Sequence, residues 1–129
     1  MAKILSCLKK RDLLHNENAG PAQLSDYGGE YLNEDRLADA LDFFEKAQDW
    51  EGIKEIRKRS IEEGIPFLFQ QTSKLLKEPP TPDAWQRIGE KTLAQGKFQE
   101  ALTAYRILEN EEKIQEILGV IQASKEHGH

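Results

Sequence analysis

Apolar residues recur along this chain at intervals of three and four rather than two, which predicts helices throughout and no strand. Ile4, Leu5, Leu8, Leu13 and Leu14 mark a first helix from Ala2 to about His15. Leu24, Tyr27, Gly28 and Tyr31 share one face of a second helix, Ala22 to Leu32. Leu37, Ala40, Leu41, Phe44 and Ala47 form the stripe of a third, Glu34 to Gln48, with Asn33 as its expected cap. Asp49 is then placed to cap a helix to Glu63 that carries Trp50, Ile53, Ile56, Arg57 and Ile61. Phe67, Leu68, Gln71, Leu75 and Leu76 predict a further helix, stopped by the proline-rich run Glu78 to Pro82. Asp83 to Ala94 and Phe98 to Glu109 follow, divided at Gln95 and Gly96. Asn110 would cap a last helix bearing Ile114, Ile117, Leu118 and Ile121. Between the first two elements, Gly20 reads as a C-cap and Pro21 as a helix start. About seven helices are expected, with a disordered tail from Ser124 to His129.

Part of this pattern occurs twice. Pro21, Leu24, Tyr27, Gly28, Ala40, Phe44 and Ile53 return sixty-one positions later as Pro82, Trp85, Ile88, Gly89, Ala101, Tyr105 and Ile114. Recurrence of whole helix pairs is the mark of a repeat architecture, in which each pair buries its apolar face only against neighbours. Small residues permit close helix approach, so Gly28 is expected to meet Ala40, and Gly89 to meet Ala101. Leu24, Tyr27 and Phe44, and Trp85, Ile88 and Tyr105, would fill the space around them.

On these residues, 82–112 resembles a tetratricopeptide repeat, with Gly96 and Phe98 also at positions the family favours. The stretch 21–52 resembles the same family through Leu24, Tyr27, Gly28, Tyr31, Ala40, Phe44 and Ala47. Thr92 and Leu108 depart from the pattern, as does the missing closing proline of both copies. The middle stretch lacks the Gly/Ala pair. The expected architecture is an all-α, short α-solenoid of antiparallel helical hairpins, one domain over 1–123. It would comprise an N-terminal helix at 1–15, hairpins at 21–52, 53–79 (irregular) and 82–112, a capping helix at 111–123, and the tail 124–129.

Charge and composition narrow the function. With 129 residues, 38% hydrophobic, 32% charged and a net charge of −5, the chain lacks the basic footprint of a general nucleic-acid binder. A lone Cys7 excludes an intrachain disulfide and fits a reducing, cytoplasmic location. No apolar run reaches the roughly 20 residues that span a bilayer, and Met1 to Arg11 does not read as a signal peptide. A start methionine close to the first helix reads as a natural N-terminus. The basic helix Lys3 to Arg11 reads as a cap on the array or a docking element for a partner; resting on an anionic membrane surface is the lesser alternative, because so short a patch anchors weakly. No catalytic, cofactor or metal-ligand constellation is recognisable: Cys7 has no nearby histidine, His15 stands alone, and Gly89-Glu-Lys-Thr92 lacks the rest of a phosphate loop.

The resemblance implies a concave surface made by the first helix of each pair, holding a peptide. Carried over to this sequence, its candidates include Asp26 and Asn33 in the first copy, and Gln86, Arg87 and Glu90 in the last. Asp26 and Glu90 stand against the family's cationic clamp for a C-terminal carboxylate. Arg57 and Lys58, within the basic cluster 54–59, add an anion contact. Alternatively that cluster is a solvated face paired with Glu51, Glu55, Glu62 and Glu63. The expected function is a protein–protein scaffold or adaptor binding a protein or peptide partner. The alternative is a homo-oligomer that stacks through its end helices.

Overall fold

Capping chemistry and turn geometry, more than apolar periodicity, set the element boundaries. A computed structural model describes residues 7–15 and 19–127. Among these are eight helices and no strand: α1 (Cys7–His15), α2 (Pro21–Asn33), α3 (Leu37–Ala47), α4 (Trp50–Glu63), α5 (Pro66–Leu76), α6 (Pro82–Ala94), α7 (Phe98–Ile107) and α8 (Glu111–His127). The chain divides into two compact units, 1–56 and 57–129, with the division inside α4.

Several expectations are corrected. Against the rounded expectation of about seven, each of the eight elements set out from the sequence forms a helix among the described residues, and α8 continues through Ser124 to His127 where a disordered tail was expected. Asn33 is the last residue of α2 and caps nothing; Arg36 precedes α3 without a side-chain cap. Gly20 is the extended N-cap residue of α2 and not a C-cap. Phe67 is exposed, because the buried side of α5 runs through Leu68, Phe69, Thr72 and Ser73, and Trp50 is exposed at the first position of α4, whose buried side runs through Ile53 and Ile56. The predicted start of the first helix at 2–6 and most of the turn before Gly20 lie outside the described residues, as do 128–129.

One construction recurs through both units. The residue before each of α2, α4, α6 and α8 is Gly20, Asp49, Thr81 or Asn110, and its carbonyl accepts from Leu24, Ile53, Trp85 or Ile114 at 3.0–3.1 Å. Asp49 Oδ1, Thr81 Oγ1 and Asn110 Oδ1 also accept from the backbone N–H three residues on. These side chains satisfy donors that a helix start leaves without partners. Asp35, Gly64 and Gly96 then turn the chain in the left-handed region, while Arg36, Ile65 and Lys97 donate to Tyr31, Ser60 and Thr92 at 2.9 Å. Gln48, Lys77 and Glu109 close the second helices in the same region. Matching positions are 29 residues apart between the first two copies and 32 between the next two. The difference is the Glu78-Pro79-Pro80 segment, which lengthens the connection before Thr81.

In unit 1, Leu24, Tyr31, Leu37, Ala40, Leu41, Phe43 and Phe44 are buried. The Tyr31 and Phe43 rings stack at 5.5 Å between centroids. A Cβ on Gly28 would lie 2.6 Å from the Phe44 ring, and one on Gly52 would also lie 2.6 Å from it. Gly28 therefore makes room for Phe44, one turn beyond the expected Ala40. In unit 2, Gly89 likewise approaches Tyr105, at 2.9 Å. Phe69, Ala84, Trp85, Ile88 and Ala104 form one core cluster, with Phe69 edge-on to Trp85 at 5.0 Å. Ala101, Leu102, Tyr105, Ile114 and Ile117 form another. Thr92, at the position of Tyr31, is buried because its hydroxyl donates back to the Ile88 carbonyl at 2.7 Å.

Candidate partner-binding face

The seven candidate residues have three different surroundings. In unit 1, Asp26 and Asn33 are exposed on α2. In unit 2, α6 turns Trp85, Ile88, Gly89 and Thr92 inward, which leaves Arg87 and Glu90 in solvent and Gln86 half-buried. Gln86 Nε2 donates to Glu90 Oε1 at 3.1 Å, one helical turn away. It is the one hydrogen bond or ion pair within the set among the described residues.

Arg57 has a different role. It holds the position of Gly28 and Gly89, and Ser73 holds the position of Phe44 and Tyr105. In this hairpin the large and small partners have changed sides. Arg57 Nε donates to Ser73 Oγ at 3.0 Å, its guanidinium lies 5.0 Å from the Phe69 ring centroid, and Glu78 is 3.8 Å away. The side chain is 18% exposed and tied to α5. Of the neighbouring cations, Lys54 pairs with Glu51 at 3.4 Å and Arg59 with Glu63 at 3.1 Å, both along α4 itself. Lys58 is exposed.

Comparing first helices singles out Arg87. Its position is occupied by Asp26 in α2, Glu55 in α4 and Glu116 in α8, and it is exposed in all four. Arg87 is the one cation there, and it has no hydrogen bond or ion pair among the described residues. The sixty-one-residue recurrence was readable in the sequence, whereas the 29-residue step that brings α4 and α8 into register with α2 and α6 comes from the turns and caps.

Two features lay outside the sequence reading. A crevice of about 370 Å³ in unit 2 runs between the start of α5 and the start of α7, lined among others by Pro66, Phe67, Gln70, Glu100 and Thr103. Phe67 at its edge is 71% exposed. In unit 1 an ion pair joins α1 to α3: Lys10 Nζ donates to Asp39 Oδ1, and to Asp42 Oδ2 at 2.8 Å. Burial works against both charges. The paired carboxylates nevertheless raise the Lys10 ammonium, and Lys10 with Arg36 lowers the Asp39 carboxyl. Burial also pushes the Tyr105 phenol up, partly opposed by Lys113.

Among the described residues no three His, Cys, Asp or Glu side chains gather as a metal site, and no helix is long and apolar enough to cross a membrane. Comparison with family models, with curated proteins and with solved structures gives no match to this chain.

Proposed function

We propose that this protein is a non-catalytic binding scaffold of the reducing cytoplasm, whose repeated helical hairpins resemble tetratricopeptide repeats and present a partner-binding face on α6. Its spacings of 29 and 32 residues are shorter than the roughly 34 residues of that family's unit, so the resemblance rests on the Gly–aromatic pairs. The observation that carries the reading is Arg87. Its position is exposed on every first helix and acidic on the other three, so its charge serves no packing purpose. Gln86 and Glu90, already held together, supply a polar frame around it. An arginine fork on a rigid helix suits a carboxylate or carbonyl of a bound peptide. Lys58 adds positive charge, whereas Arg57 contributes by fixing α4 to α5.

The test compares capture from native cell extract by wild type and by Arg87→Glu. Wild type should retain a partner protein that the variant loses, with binding weakened about tenfold or more and the melting temperature unchanged. Equal retention by both would remove Arg87 from the site. A Phe44→Ala, Trp85→Ala double variant, which should not fold, controls for unspecific capture.

A further inference from the structure

We propose that the protein self-associates through α8, two copies pairing their α8 helices antiparallel about a two-fold axis at Leu118. This inference is independent of the α6 face. It starts from the position of Leu118, which corresponds to Gly28, Arg57 and Gly89 in the other first helices. In those three the residue faces a second helix returning antiparallel: Gly28 against Phe44, Arg57 against Ser73, Gly89 against Tyr105. Ile121 corresponds to Tyr31, Ser60 and Thr92, all fully buried. On α8, Leu118 is 37% exposed and no helix covers it among the described residues, whereas Ile121, half-buried, packs against the α7 cluster of Ala101, Leu102 and Tyr105. The repeat thus states what the face takes, an antiparallel helix that tolerates a large residue opposite.

The charges identify that helix as another α8. Glu111 lies seven residues before Leu118 and Lys125 seven after, two turns in each direction along the same side. Antiparallel pairing about Leu118 sets Glu111 of each copy opposite Lys125 of the other, with Leu118 against its own equivalent. Both charged residues are exposed, and neither is engaged in an ion pair among the described residues. Their placement near the helix ends also suits the helix dipole, but the dipole does not account for an uncovered Leu118. The chain's own α1 is a poorer occupant. Sixty-one positions relate it to α5, which puts the exposed Asp12 where Ser73 stands. One helix face buries less than the roughly 1,200 Å² of a standard interface, so a reversible, micromolar dimer is expected.

Sedimentation equilibrium of the full chain across the micromolar range tests this. Wild type should show a monomer–dimer equilibrium, and Leu118→Glu should remain monomeric with an unchanged helical circular-dichroism spectrum. Lys125→Glu should weaken association about fivefold or more through two like-charge contacts, and adding Glu111→Lys should restore it. A wild type that stays monomeric at the highest concentration overturns the proposal. A dimer indifferent to Leu118→Glu, or one not rescued by the double charge reversal, does so as well.

Discussion

Phe44 shows how far a repeat can be read one residue at a time. Its ring is flanked by Gly28 of α2 and Gly52 of α4, each so close that a Cβ would need to stand 2.6 Å from it. The glycine was visible in the sequence; its partner was not, because Ala40 and Phe44 lie one turn apart on the same stripe and periodicity alone does not choose between them. Gly52 carried no signal, since Lys113 replaces it in the other copy. Two substitutions follow from this geometry. Gly28→Ala and Gly52→Ala should each destabilise by about 1–3 kcal/mol, because the contacts reach the body of a buried ring and not a flexible tip. Gly29→Ala, whose Cβ would meet nothing within 4 Å, should instead stabilise by about 0.5–1 kcal/mol through helix propensity. Urea denaturation of the three variants decides it; equal effects at positions 28 and 29 would refute the ring contact.

At the level of elements, the α4–α5 pair explains why the sequence showed two copies and not three. The repeat is maintained in backbone turns, left-handed residues and cap positions, none of which requires one particular residue. Asp35, Gly64 and Gly96 make the same turn. Side-chain identity is lost where Arg57 and Ser73 exchange the large and small roles, and the three-residue extension at Glu78-Pro79-Pro80 shifts the register. The same exchange ties Arg57 to Ser73 and Phe69 of α5, where charge alone had recommended it for the candidate site. Its bond to Ser73 should therefore appear as coupling. Arg57→Ala should cost about 1.5–3 kcal/mol. Ser73→Ala should cost less in that background than alone, with an interaction energy of about 1 kcal/mol in a double-mutant cycle. Strict additivity would return Arg57 to the solvent-facing set.

For the molecule as a whole, the sequence conveyed the helical class and the recurrence of hairpins, because apolar spacing records burial directly. It conveyed little of the candidate face, because an exposed charge leaves no periodic trace; Arg87 stands out only once four first helices are superposed in register. The Lys10 contact was equally hidden, since it joins residues 29 and 32 positions apart. That contact gives the molecule a defined response to pH. Asp39 is held below its ordinary 3.8, so its contribution is present above that pH and is lost as acid protonates the folded carboxylate. Lys10 is held above its ordinary 10.5, so its share is complete below that value and fades as alkali deprotonates it. Tyr105, raised above 10.0, weakens the fold at the same alkaline end and must be separated from it. Lys10→Met makes the separation. Between about pH 5 and 9 it should lower the unfolding free energy by about 1 kcal/mol, a modest figure because Asp42 is half exposed. The difference from wild type should shrink towards zero below the Asp39 transition. It should also shrink above that of Lys10, while the Tyr105 loss persists in both proteins. Chemical denaturation across the pH range measures this, and a difference that stays constant into acid would show that Lys10 contributes packing rather than charge.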